Sequence, residues 1–180
     1  MTRTFDAGRL WALPRVGAPA VVGPGRLVVP VTTYDIDENQ GSTRLWLVDG
    51  ETPAEPLTPE ELNASKPIAS PDMRRLAFVA GKRGESDRQL YIVDLLGGEP
   101  EAITDLPLGC LGGRWLPDGS GLIVLSYLLR DHLSTDATAA ELERRKAGKF
   151  TVHATEFATY RYWDIWLTTG EVPHLFHLDL

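Results

Sequence analysis

An all-β fold is the class that the sequence predicts, and three observations support it. The chain repeats itself at a spacing of about 45 residues, its apolar runs are short, and turn-forming residues bound each run. A period in the forties built from short strands is typical of a β-propeller, whose blades are four-stranded antiparallel sheets. The sequence therefore predicts a partial propeller with about two complete blades and an unfinished third.

The repeat is visible when the copies are aligned. Residues 44–58 lie over residues 89–104, and residues 68–80 lie over residues 114–126 with a Pro-Asp turn in both copies. Residues 21–31 form an earlier and shorter version of the second pair. Internal repetition of this kind indicates that the same four-stranded unit recurs along the chain.

These copies predict the boundaries of the blades. Blade one is expected at about 18–60, blade two at about 64–106 and blade three at about 110–180. The third copy carries an insertion at about 130–170 before its next strand resumes.

The central strands are almost continuously apolar. Residues 76–80, 90–95 and 122–125 show no alternation of apolar and polar side chains. This pattern is typical of strands that are covered on both faces, as the strands between neighbouring blades are. The runs are too short for buried helices.

The turns between the paired strands follow a common pattern. Pro117 and Asp118 precede Gly119, which suits a turn position with positive φ. Met73 occupies the equivalent position in the earlier copy, where a side chain is unfavourable. We therefore expect a different turn at Met73.

The insertion is predicted to begin with a short surface helix. Residues 134–149 are rich in helix formers, Thr138 and Glu141 have the spacing of a capping box, and Gly148 is a stop signal. The charged face of this helix is either solvated, which is the favoured interpretation, or an interaction surface. The aromatic segment that follows, 150–166, either packs against the propeller or lines a recess, and packing is the favoured interpretation.

Composition limits the functions that remain. The net charge is −7, and no stretch concentrates enough Lys and Arg to bind a nucleic-acid backbone, so no nucleic-acid partner is expected. No apolar run has the length of a membrane helix, so no membrane partner is expected. Cys110 is the single cysteine and the first residues lack a secretory core, which together predict a cytoplasmic protein.

No residue emerges as a catalytic, cofactor-binding or metal-binding candidate. Ser120 lies in a Gly-Ser-Gly string that lacks the first glycine of a nucleophile elbow, so it is interpreted as a turn serine. His174 and His177 are three apart on a predicted strand and point to opposite faces. Residues 35–46 begin like a calcium loop, but the glycine is misplaced and Trp46 stands where the last ligand belongs. No cofactor is expected.

Several segments nevertheless resemble one family. These are the Ser-Pro-Asp turn at Ser70, the segment 90–104, the turn at 115–121 and above all the ending 160–180. Together they resemble the N-terminal propeller of the prolyl oligopeptidase family of serine peptidases, and within it the acylaminoacyl peptidase and dipeptidyl peptidase branch.

The resemblance implies a peptidase whose propeller caps an α/β-hydrolase domain with a Ser, Asp, His triad. That domain is absent from these 180 residues, so the chain alone is expected to be inactive. The implied partners are the C-terminal hydrolase domain and a short peptide substrate, with access to the active site restricted by the propeller. Self-association through open blade edges is a further expectation. The alternative is a stand-alone propeller module that binds other proteins, and a small independent enzyme is the third possibility.

Overall fold

Over the described residues, three larger antiparallel sheets follow one another along the chain, and a two-stranded sheet lies within the insertion. The computed structural model describes residues 6–82, 88–149, 161–163, 165–166 and 169–180. Two helices accompany the sheets, α1 (Ala7–Ala12) and α2 (Thr135–Ala147). The strands are β1 (Arg15–Val16), β2 (Ala20–Gly23), β3 (Arg26–Asp35), β4 (Gln40–Val48), β5 (Glu55–Pro56), β6 (Leu62–Ala69), β7 (Arg75–Lys82), β8 (Gln89–Asp94), β9 (Glu101–Ala102), β10 (Gly112–Trp115), β11 (Gly121–Leu129), β12 (Arg161–Tyr162), β13 (Ile165–Trp166) and β14 (Glu171–Asp179).

Each of the three larger sheets is a blade with its strands in chain order. The first sheet runs β1-β3-β4-β5, and β2 pairs with the same edge of β3 further along. The second sheet runs β6-β7-β8-β9, and the third runs β10-β11-β14. Sequential strands in neighbouring positions and purely antiparallel pairing are what a propeller blade requires. The predicted partial propeller is therefore confirmed.

The core consists of two layers between the blades, and β7 contributes to both. Leu76, Phe78 and Ala80 belong to the cluster shared with blade one, whereas Ala77 and Val79 belong to the cluster shared with blade three. All five are buried. Since successive side chains of a strand point to opposite faces, a strand covered on both sides reads as continuously apolar.

The turn at Met73 is the same as the turn at Gly119, so the expectation of a different turn is wrong. Met73 has φ 57° and Gly119 has φ 74°. The Met73 N–H donates to the Ser70 carbonyl at 2.9 Å, and the Gly119 N–H donates to the Leu116 carbonyl at 2.9 Å. The hydrogen bonds of the repeated turn hold Met73 in a conformation that favours glycine.

The same turns also orient an acidic side chain. The Ser70 hydroxyl lies 2.6 Å from Asp72 Oδ1, and the Ser120 hydroxyl lies 2.7 Å from Asp118 Oδ1. These hydrogen bonds stabilise the charged carboxylates and lower the pKa of both aspartates. Asp72 and Asp118 are therefore turn residues with local partners.

Helix α2 begins earlier than the capping-box spacing predicted. Ser134 is the N-cap, and its hydroxyl accepts from the Ala137 N–H at 3.1 Å. Thr138 and Glu141, predicted to form the capping box, lie inside the helix and are buried. Gly148 is the C-cap, as predicted. Among the described residues, no helix is long and apolar enough to cross a membrane.

Candidate functional site

The first strands of the blades lie together at the inner end of the sheets. β6 contacts both β2 and β10, the first strands of the neighbouring blades. β5 and β9, at the opposite edges, make their main contacts with β4 and β8 of their own sheets. In a propeller, strands that converge in this way surround the central channel. We call the free edges of β2, β6 and β10 the inner edge of the blades, because further blades in the same arrangement are expected to close a ring around it.

The two ends of the insertion are hydrogen-bonded to each other. The Arg130 N–H donates to the Gly170 carbonyl at 2.7 Å, next to the β11–β14 ladder. The Thr138 hydroxyl donates to the His132 carbonyl at 2.7 Å and accepts from the Leu129 N–H at 3.1 Å. The start of α2 is thus fixed to the end of β11 by polar contacts.

A single carboxylate organises the second half of α2. Glu141 is only 9% exposed and accepts hydrogen bonds from Arg144 at 2.6 Å and from Arg145 at 2.8 Å. Arg145 in turn donates to the Thr169 carbonyl at 2.9 Å, at the returning end of the insertion. The hydrogen bonds from the two arginines lower the pKa of Glu141 to about 2. Glu141 is therefore charged throughout the physiological range, and it orients Arg145, which links α2 to the returning end of the insertion.

The described part of the aromatic segment forms an exposed turn. β12 and β13 form a two-residue hairpin in which Tyr162 pairs with Ile165, and Trp163 has φ 54°. Tyr162 is 65% exposed and Trp163 is 81% exposed. Packing therefore does not account for these two rings, contrary to the favoured interpretation. Residues 150–160 of the same segment lie outside the described residues.

A second aromatic group covers the long hairpin of blade one. The Arg15 guanidinium lies 4.7 Å from the centre of the Tyr34 ring, and Trp11 meets Tyr34 edge-on at 5.5 Å. Beside them, a groove of about 320 Å³ is lined partly by Ile36 and Gln40. Among the described residues, no buried side-chain polar atom lacks a hydrogen-bond partner, so none is left unpaired in this groove to bind a ligand.

The residues considered for catalysis or metal binding are dispersed. Ser120 lies in the β10–β11 turn, while His174 pairs with Ser126 and His177 pairs with Ile123 in the β11–β14 ladder. The two histidines occupy opposite faces of β14, as the strand prediction requires. Over the part of the chain that the structure describes, no three His, Cys, Asp or Glu side chains come together as a metal site.

The loop that resembled a calcium site is a polar hairpin. Asp35 Oδ1 accepts from the N–H groups of Asp37 and Glu38 at 2.9 and 3.0 Å. Asp35 also pairs with Gln40 across the hairpin. A carboxylate that caps its own turn in this way is the usual function of Asp at such positions.

Comparison with known proteins relates the chain to peptidases. It is 31% identical over 126 residues to the uncharacterized peptidase YuxL of Bacillus subtilis, covering 69% of this chain and 19% of that protein. It is 24% identical over 173 residues to dipeptidyl-peptidase 5 of Porphyromonas endodontalis, covering 95% of this chain and 24% of that protein. The chain thus spans a fifth to a quarter of these relatives. No protein-family profile matches it.

Solved structures agree on the fold. An acylaminoacyl peptidase of Pyrococcus horikoshii aligns with a TM-score of 0.69 at 13% identity, over 98% of this chain and 25% of that chain. The β-propeller domain of the Trilobed protease of Pyrococcus furiosus aligns with a TM-score of 0.51 at 15% identity, over 68% of this chain and 35% of that chain. The fold is that of a peptidase-associated β-propeller. The chain is a propeller portion of the prolyl oligopeptidase family of peptidases, as its turns and its last residues predicted.

Proposed function

We propose that this chain is the non-catalytic propeller portion of a serine peptidase that hydrolyses short peptides. The two curated relatives are named as peptidases, and this chain corresponds to a fifth to a quarter of their length. The triad and the hydrolase domain would belong to another part of the longer protein. The acylaminoacyl peptidase and dipeptidyl peptidase types are the substrate classes that the resemblance supports.

The function of the blades in this proposal is to restrict access. Inner strands that surround a narrow channel admit an extended peptide and exclude a folded domain by size. The observation that carries the proposal is the stacking of three blades around β2, β6 and β10, because this arrangement continues into a ring when further blades follow. We also propose a reducing cytoplasmic location, which the single and buried Cys110 favours.

A stand-alone interaction module is the second candidate function. The exposed pair Tyr162 and Trp163 favours it, because two exposed aromatic rings at a hairpin turn are a common feature of protein-binding surfaces. This alternative predicts specific partner binding by the 180-residue chain without any peptidase.

The test compares the 180-residue chain with the protein as it is naturally expressed. Chromogenic acyl-peptide and dipeptide substrates are expected to be hydrolysed by the natural protein in a reaction that a serine-directed inhibitor abolishes. The purified 180-residue chain is expected to hydrolyse none of them. Inhibitor-sensitive hydrolysis by the pure chain would overturn the non-catalytic assignment, and an inactive natural protein would favour the interaction module.

A further inference from the structure

The inner strand of blade two contains an irregularity at a lysine. The β6–β7 ladder shifts register between Ser65 and Ile68, and Lys66 within this bulge has φ 54°. A β-bulge redirects a side chain, and a left-handed conformation is unfavourable for any residue other than glycine or asparagine. The backbone is thus strained at one exposed cation on the inner edge of the blade.

The ammonium group of Lys66 is fixed in position. Nζ donates to the Leu111 carbonyl at 2.6 Å, across to the segment that leads into β10. An ammonium has three donors, and this hydrogen bond uses one of them. Among the described residues, no carboxylate forms an ion pair with Lys66. Two donors therefore remain for a ligand.

A second cation lies beside the same bulge. Arg88 donates from Nη1 to the Ser65 hydroxyl at 3.3 Å. Its own carbonyl accepts from the Cys110 N–H at 2.5 Å, which fixes Arg88 against the connection between blades two and three. Arg88 also forms no ion pair with a carboxylate of the described residues. We call Ser65, Lys66 and Arg88 the bulge corner.

The first strands of the blades carry positive charges, and the last strands of blades one and two carry negative charges. The first strands β1, β2, β6 and β10 contain three cations and no acidic residue, namely Arg15, Lys66 and Arg114. The last strands β5 and β9 contain Glu55 and Glu101 and no cation. This distribution occurs in a chain whose net charge is −7. The first strands thus differ in charge from the last strands of blades one and two and from the chain as a whole.

We propose that the bulge corner binds a carboxylate group of a short peptide in the channel. The inference rests on the proposed function, which supplies the peptide. A lysine ammonium, an arginine guanidinium and a hydroxyl are complementary to a carboxylate, and hydrogen bonds between ionised partners are the stronger kind. The carboxylate is either the C-terminus of the peptide or an acidic side chain.

The test measures binding rather than hydrolysis, so it is independent of the peptidase activity. Two matched peptide pairs are titrated calorimetrically into the 180-residue chain at low salt. One pair is acetylated pentaalanine as the free acid and as the amide, and the other is acetyl-Ala-Ala-Glu-Ala-Ala-amide with its Gln counterpart. The carboxylate member of at least one pair is expected to bind about threefold to tenfold more tightly. The pair that discriminates identifies the source of the carboxylate.

Three variants distinguish loss of the Lys66 charge from a change in the fold. Lys66→Asn removes the charge and suits the left-handed backbone, so the fold is expected to remain intact and the preference to disappear. Lys66→Arg is expected to retain the preference, and Lys82→Gln at the exposed end of β7 is the control that leaves it unchanged. Circular dichroism checks the fold of each variant.

The outcomes are distinct. Equal affinities within both pairs for the unaltered chain, or a preference that persists in Lys66→Asn, would overturn the carboxylate site. Equally tight binding of acetate would overturn the peptide as its ligand. Failure of the natural protein to hydrolyse peptides would count against the proposed function alone. The peptide affinities would still show whether the bulge corner binds a carboxylate.

Discussion

The guanidinium carbon of Arg75 lies 4.8 Å from the centre of the Trp115 indole ring, which joins blade two to blade three. Arg75 also donates to the Gly119 carbonyl at 3.1 Å, and the Trp115 N–H donates to the Ile68 carbonyl at 3.0 Å. The blades are thus linked by directed polar contacts at the turn end, next to the apolar layer between them.

Removal of the Arg75 side chain is expected to weaken this link. Arg75→Ala loses one hydrogen bond and one cation–π contact, so the free energy of unfolding should fall by about 1 to 2 kcal/mol. Arg75→Lys retains the charge but not the planar fork, and an intermediate loss is expected. Urea denaturation followed by circular dichroism measures both. An unchanged stability of Arg75→Ala would contradict the importance of the contact.

The repeated turn provides a matched pair of substitutions. Met73 is strained at φ 57° and its side chain is 46% exposed, so Met73→Gly should raise the free energy of unfolding by about 0.5 to 1 kcal/mol. Gly119→Ala, at the same turn position with φ 74°, should lower it by about 1 kcal/mol. Opposite signs at the two positions are the expected result. Destabilisation by both substitutions would show that the Met73 side chain outweighs its backbone strain.

Much of the fold was predictable from the sequence. The internal repeat predicts the four-stranded blade, and the Pro, Asp and Gly residues of the turns predict where its strands end. The continuous apolar pattern of residues 76–80 correctly indicated a strand covered on both faces. The turn at Met73 was mispredicted because the hydrogen bonds of the repeat outweigh the preference of one residue. The bulge at Lys66 left no pattern in the sequence, since it depends on pairing with β7 and on contact with the segment before β10.

The insertion is expected to be sensitive to acid. The hydrogen bonds from Arg144 and Arg145 lower the pKa of Glu141 from its ordinary value of 4.5 to about 2. A carboxylate with a lowered pKa stabilises the folded state above its ordinary pKa, and this contribution is lost as the pH falls towards the folded-state value. The difference in melting temperature between the unaltered chain and Glu141→Gln should therefore shrink between pH 4.5 and pH 2. A difference that stays constant over this range would contradict the assigned function of Glu141.

The open face of blade three is expected to promote association. Leu175 on the edge strand β14 is 71% exposed and pairs with Leu125. Unpaired strand edges with exposed apolar side chains favour pairing with another copy. Leu175→Lys should therefore reduce oligomers in sedimentation velocity experiments at several concentrations. Leu96→Lys, at a position 82% exposed in the β8–β9 turn, is the control and should have no effect. Equal effects of the two variants would locate self-association elsewhere.

We propose that this chain functions as the propeller of a serine peptidase, and the mass and labelling of the natural protein decide whether it does. The naturally expressed protein is treated with a serine-directed covalent probe, isolated with an antibody against residues of this chain, and its intact mass is determined. We expect a species far heavier than 19.8 kDa that carries one probe molecule. An unlabelled species of 19.8 kDa would contradict the proposed function and would leave the interaction module as the function of the chain.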